Sequence, residues 1–371
     1  MVTIASIWNY MRLSESTFAI ANGLMKKIFI VNRVLRTQTF LLIQPNNTSK
    51  VDNMSIQAKI LLDSINPVGN RITTWVLTYP RFIHAEFMTH RVFSRNASSS
   101  RAIPVSKMLK DVKENPAMPV YWGKNQSGMQ AAEELDNVTP KWAGVGGLYR
   151  TDRERAEEVW LAARDEAIAK TEQLVAVGLH KQIANRLLEP WMHITVLATA
   201  TEHQNFFALR AHKDAQPEFQ KLAYLMLDLY QTSEPRALGL NEWHIPFGDT
   251  LDEARVMELV NKKYDYSRQA PDETDLLKTR VSLDIATARC ARVSYLNFEG
   301  KDDYEADLAL AERLASSGHM SPFEHCAQAM DFPINYGNFR GWRQYRKSFP
   351  QENRTDGRVG GPEHKGGAVN Y

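Results

Sequence analysis

Thr89-His90-Arg91-Val92-Phe93-Ser94-Arg95-Asn96-Ala97-Ser98-Ser99-Ser100-Arg101 sets three arginines, a histidine, an asparagine and four serine hydroxyls into thirteen positions. Just upstream, Ile83 and Phe87, then Met88 and Val92, stand at the i, i+4 spacing of one helix face. The stretch therefore reads as a helix delivering a cationic, hydroxyl-rich loop. Guanidinium groups bind phosphate through paired hydrogen bonds, and hydroxyls with free backbone N–H groups satisfy the remaining oxygens. Two readings stand at this point, an anion site or a solvated surface turn.

Outward from that stretch the pattern is mixed. Strand-like runs at 55–62 and 71–78 flank the turn Asn66-Pro67-Val68-Gly69-Asn70, and Pro80 is placed to open the helix. Residues 112–147, rich in Pro, Gly, Asn and Trp, read as a long loop or lid. Thr151 and Asp152 open a helix to 177, ended by Gly178. Ile183 with Leu187, and Ala184 with Leu188, mark another helix face. A strand at 194–200 precedes helices over 202–210, 214–230, 251–262 and 274–290, with Phe206, Phe207 and Leu209 expected in a core. The expected fold is α+β, a mixed or antiparallel sheet flanked by helices. Residues 1–53 lack periodic apolar structure and read as an extension outside the core, with 54–350 as the catalytic region and 351–371 as a flexible tail.

Composition excludes several classes. Of 371 residues, 43% are hydrophobic and 24% charged, with net charge +2, which fits a globular protein with no general reason to bind nucleic acid or an anionic membrane. Two cysteines, Cys290 and Cys326, rule out a disulfide scaffold or a four-thiolate zinc site and suit a reducing cytoplasm; no metal site is expected. No apolar run is long enough to span a bilayer, and no G-x-G-x-x-G supports a Rossmann site.

Three blocks resemble the flavin-dependent thymidylate synthase (thymidylate synthase complementing protein) family. The signature Arg-His-Arg, seven residues, Ser-x-Arg is matched by Thr89-His90-Arg91 and Ser99-Ser100-Arg101. The family's Asn-x5-Asn-Phe-Leu-x-Leu-Arg is matched by Thr199 and Asn205-Phe206-Phe207-Ala208-Leu209-Arg210, followed by Ala215-Gln216-Pro217-Glu218. Ala291-Arg292-Val293-Ser294-Tyr295 and Ser321-Pro322-Phe323-Glu324-His325 resemble motifs that precede the signature in other members but follow it here, a permuted order. Trp342 to Lys347 resembles a second, partial copy of the strand–helix–loop at Trp75 to Arg101.

The resemblance implies transfer of a one-carbon unit from methylenetetrahydrofolate to C5 of dUMP, with FAD as cofactor and NADPH as reductant, giving dTMP. It also implies active sites shared in a homotetramer. By position it gives Arg210 a catalytic place at the uracil edge, and Glu86, Ala97, Ser98, Ser99, Ser100, Arg101 and Arg186 places around the nucleotide. Thr89, His90, Arg91, Val92, Thr199, Thr201, Asn205, His319, Ser321 and Glu324 take flavin positions. Departures are Thr89 for the first Arg, Glu86 for a Gln and Ala97 for a Glu, with Arg343, Gln344, Arg346 and Lys347 as candidate replacements. A C5 hydroxymethylase and a non-catalytic nucleotide-binding paralogue are the alternatives. A cysteine-nucleophile thymidylate synthase is disfavoured, since neither Cys290 nor Cys326 follows a proline.

Overall fold

Trp75, Leu77 and Tyr79, spaced by two along one strand, are fully buried, and so are Thr73 and Thr74 on the same strand. A strand covered on both faces lies in the middle of a sheet. In the computed structural model, which describes residues 56–143, 149–264, 271–295 and 302–352, this strand is β2 (Arg71–Pro80). It pairs antiparallel with β1 (Gln57–Ile65) on one side, across a turn closed by Gly69 at φ +83°. On its other side it pairs antiparallel with β6 (His193–Ala200), from Thr73↔Ala200 to Pro80↔His193. The short strand β3 (Ser94–Ala97) adds to β6, and β7 (Arg236–Ala237) lies parallel to β1, giving the order β3-β6-β2-β1-β7. A second sheet has the order β12-β9-β8, from β8 (Trp243–His244), β9 (Ala327–Ala329) and β12 (Trp342–Gln344). Two-stranded ribbons join β4 (Trp142–Ala143) to β5 (Tyr149–Arg150) and β10 (Asn335–Tyr336) to β11 (Phe339–Arg340).

The helices in chain order are α1 (His84–Met88), α2 (Val105–Glu114), α3 (Asp152–Ala176), α4 (Lys181–Ala184), α5 (Gln204–Arg210), α6 (Pro217–Thr232), α7 (Glu253–Lys263), α8 (Pro271–Arg292) and α9 (Tyr304–Ser316). The fold is α+β, with helices covering mixed sheets. One face of β2 and β6 packs on the aromatic cluster of Phe87, Phe206 and Phe219 from α1, α5 and α6, with Phe93 from the turn before β3. The opposite face carries Leu197 against Cys290 and Val293 at the end of α8. α3 starts on a capping box in which Thr151 and Glu154 satisfy each other's backbone N–H, and Gly178 at φ +85° follows its end.

Some expectations need correction. The helix before the signature stops at Met88, and Pro80 closes β2 instead of opening it. Thr89 caps α1 by returning its N–H to Glu86, and Val92 falls in the turn beyond. After Ala184 the chain tightens into a 3₁₀ turn, Asn185–Trp191, whose three-residue repeat breaks the i, i+4 face. Ala184 and Leu188 are buried while Ile183 and Leu187 are exposed. Leu209, placed in the core by pattern, is 55% exposed. The two stretches read as copies fold differently: Trp75 to Arg101 begins in the second half of the ten-residue central strand β2, whereas Trp342 to Lys347 is a three-residue strand and a 3₁₀ turn. Residues 1–53 and 353–371 lie outside the described residues. Glu352, grouped with the tail, is paired with Arg346 and Lys347.

Candidate functional site

The signature stretch is largely a strand. Ser94 and Asn96 of β3 are buried on one face of the strand, while the half-buried Arg95 and Ala97 alternate to the other, toward the aromatic core. Polar side chains are inside because the C-terminal blocks return to meet them. Ser94 Oγ donates to Glu324 Oε2 at 2.6 Å and accepts from Gln344 Nε2 at 3.1 Å. Glu324 is also paired with Arg346. The Ser99 N–H donates to the Ser294 carbonyl at 3.0 Å. Residues 294, 321–325 and 338–346, far along the chain, thus gather on one short strand and the loop after it.

A buried hydrogen-bonded chain runs through this junction. With its amide nitrogen toward His325, Asn96 donates to Nε2 at 2.9 Å and to the Ser321 carbonyl at 3.2 Å. His325 Nδ1 then faces Thr199 Oγ1 at 2.8 Å, Thr199 faces Thr74 at 2.8 Å, and Thr74 faces His244 Nε2 at 2.9 Å. His244 Nδ1 ends the chain at Ser64 Oγ, 2.9 Å away. Each group donates to the next, which requires both imidazoles to be neutral. Burial supplies that condition, lowering the pKa of His244 and of His325 to about 3.

Arg210, at the end of α5, meets Glu86 of α1 and His90 in the turn after it. Its Nε donates to His90 Nε2 at 3.0 Å and its Nη1 to Glu86 Oε2 at 2.9 Å. The guanidinium also lies 4.6 Å from the centre of the Phe219 ring. Burial, then Arg210, then Arg95 push the His90 pKa down to about 4, so its Nε2 is an acceptor lone pair. His90 meets Phe206 edge-on, with ring centres 5.1 Å apart. The remaining N–H groups of Arg210 engage no other described residue, in an aromatic setting that raises their electrostatic reach.

The third group surrounds the serines. Ser98 Oγ accepts from the Thr195 N–H at 3.0 Å, and Ser99 Oγ from the Arg101 N–H at 3.3 Å. Ser100 Oγ donates to Glu189 Oε1 at 3.1 Å, and Arg186 Nη1 reaches the same oxygen at 2.9 Å. The guanidiniums of Arg91 and Arg101 are exposed and engage no other described residue.

Thus Glu86, His90 and Arg210 come together, as do Ser100 with Arg186 and Thr199 with His325. Thr201 Oγ1 accepts from the Arg340 N–H at 2.9 Å, and Thr89 Oγ1 donates to the Glu86 carbonyl at 2.7 Å. Val92, Asn205 and His319 are exposed, and Ala97 pairs with Val196 in the sheet. Of the candidate replacements, Gln344 reaches the signature strand, Arg346 reaches Glu324, Arg343 donates to the Lys347 carbonyl, and Lys347 pairs with Glu352. None of the four contacts Glu86 among the described residues. Sequence reasoning missed Glu189 and Asn185. The i, i+3 spacing of Arg186 and Glu189 was the available signal for the first; the buried amide of Asn185 gave none. Cys290 and Cys326 are buried, which raises both thiol pKa values, that of Cys326 to about 12. Neither is poised as a nucleophile.

Residues 70–236 match the family described as thymidylate synthase complementing protein. That region holds Glu86, His90, the serine loop, Arg186, Thr199 and Arg210; His319, Ser321 and Glu324 lie beyond it. No curated protein matches the chain by sequence similarity.

Proposed function

Through residues 70–236 the chain belongs to the thymidylate synthase complementing protein family, and from that premise we propose that it converts dUMP to dTMP. Methylenetetrahydrofolate gives the carbon, NADPH the hydride, and the C5 proton of uracil leaves, with tetrahydrofolate and NADP as the other products. The observation that carries this reading is the Arg210–His90–Glu86 cluster, assembled from two separate family blocks around one partly free guanidinium.

In this reading Arg210 stands beside the O2/N3 edge of uracil and stabilises the negative charge that develops as C5 becomes nucleophilic. Glu86 and neutral His90 fix its plane beforehand, so little reorganisation is left for the reaction. Arg101, Ser99 and Arg186 take the nucleotide phosphate. Flavin fits the residues in kind: Arg91 offers an unengaged guanidinium suited to a diphosphate, and Thr89, Asn205 and His319 are exposed polar groups from three blocks. When bound, FAD would supply the redox chemistry linking NADPH to one-carbon transfer. Thr199, Ser321 and Glu324, taken as flavin positions, would act from behind, since Thr199 and Glu324 bind the protein itself. The assembly is a homotetramer with shared sites, in the cytoplasm.

Glu86 keeps one second reading in view. A carboxylate beside the pyrimidine alters the charge at the site, and C5 hydroxymethylation delivers the same carbon without the final hydride.

The two arginine roles separate experimentally. Arg210→Lys should keep flavin and dUMP bound while slowing single-turnover transfer by about 10²–10³, because a point charge replaces a planar fork. Arg101→Ala should raise the KM for dUMP with kcat little changed, since phosphate is held equally in ground and transition states. Transfer at the parental rate in Arg210→Lys, with normal dUMP binding, would make Arg210 a structural helix-end residue.

A further inference from the structure

The serines of the signature stretch commit their hydroxyls differently. Ser98 and Ser99 act as acceptors from Thr195 and Arg101, so their protons remain available. Ser100 donates its proton to Glu189 Oε1. A hydroxyl has a single proton and a carboxylate cannot return one, so Ser100 cannot donate to a phosphate while Glu189 holds it. The same carboxylate oxygen takes Arg186 Nη1 at 2.9 Å and Arg81 Nη2 at 3.2 Å. Around it, Asn185 Nδ2 donates to the Ser100 and Ile103 carbonyls at 2.7 and 3.1 Å, and Lys181 Nζ to the Ala102 carbonyl at 2.9 Å. The loop is gripped from the protein side by residues 181–189.

We propose that Glu189 is a positioning residue of the anion site. It holds Ser100, Arg186 and Arg81 from behind and leaves Ser99, Arg101 and the free N–H groups of Arg186 to face a phosphate monoester. The inference rests on the reading that this loop takes the nucleotide phosphate. Charge agrees with it: one carboxylate set against Arg81, Arg186 and Arg101 leaves roughly two positive charges, the complement of a phosphate monoester near −2. Without Glu189, two guanidiniums and a buried hydroxyl would lose their shared partner, and the loop its fixed shape.

The test compares dUMP with deoxyuridine, which lacks the phosphate, by calorimetric titration of the full chain and its Glu189→Leu and Glu189→Gln variants. The parent should bind dUMP more tightly than deoxyuridine. Glu189→Leu should weaken dUMP about tenfold or more and leave deoxyuridine unchanged, with Glu189→Gln in between. Should Glu189→Leu fail to fold, Glu189→Gln keeps the shape without the charge and must still lower the preference for dUMP. A parent protein with no preference for dUMP overturns the phosphate site itself, and this inference with it. A parental preference retained in the variants reduces Glu189 to a structural residue. Tighter dUMP binding in Glu189→Leu or Glu189→Gln makes Glu189 a competitor of phosphate.

Discussion

At Arg210 the guanidinium is held by the Glu86 carboxylate on one side and a neutral imidazole on the other. Neutrality of His90 is the condition for that bond, because a protonated ring would present a second donor to Arg210. Burial is the largest cause of its low pKa of about 4, followed by Arg210 and Arg95. Since this lies below the ordinary 6.5, the unfolded chain binds more protons between the two values. The stability held by neutral His90 is therefore whole above 6.5 and is lost as pH falls toward 4. Arg210→Gln removes the second cause and should move the His90 titration upward, while burial keeps it below 6.5. Histidine NMR across that window checks this. An unmoved titration would show that Arg210 does not govern the ring's charge.

β3 is the element on which the remote blocks converge, and its polar inner face depends on partners far along the chain. Thr199 joins Thr74 to His325 in the buried chain that fixes β3 through Asn96. Thr199→Val keeps the volume but leaves the His325 N–H without an acceptor, at a cost of about 1–3 kcal/mol in unfolding free energy. Denaturant unfolding measures it, and a change below about 0.5 kcal/mol would mean that the chain is not a structural tie. The same strand explains what the sequence concealed. Strand-like apolar runs made β2 and β6 legible and helix-forming composition made α3 so, with Thr151, Asp152 and Gly178 marking the limits of α3. β3 carries no such signal, since Ser94 and Asn96 occupy the inner positions where a strand ordinarily shows Val or Ile. Its burial is set by Glu324, Gln344 and His325, more than 200 positions away. Arg210, His90 and Ser99 were readable from motif spacing, whereas Glu189 and Asn185 act through contacts that no local pattern encodes.

Across the whole molecule, residues 70–236 carry the family match, and the blocks that follow cover its edge strand β3 from outside that region. Contacts between Ser99 and Ser294, Ser94 and Glu324, and Asn96 and His325 place the late motifs beside the early signature. The proposed function rests on that closure: groups scattered along the chain would handle one nucleotide and one flavin. Product analysis is its most direct test. Purified full-length protein is incubated with dUMP, NADPH and methylenetetrahydrofolate carrying ¹³C in the methylene group, and the nucleotide products are identified by mass and NMR. The account predicts flavin-dependent formation of dTMP with the label in its C5 methyl group. A labelled hydroxymethyl nucleotide would assign the second C5 chemistry, and unlabelled, unchanged dUMP from flavin-loaded protein would contradict the catalytic reading altogether.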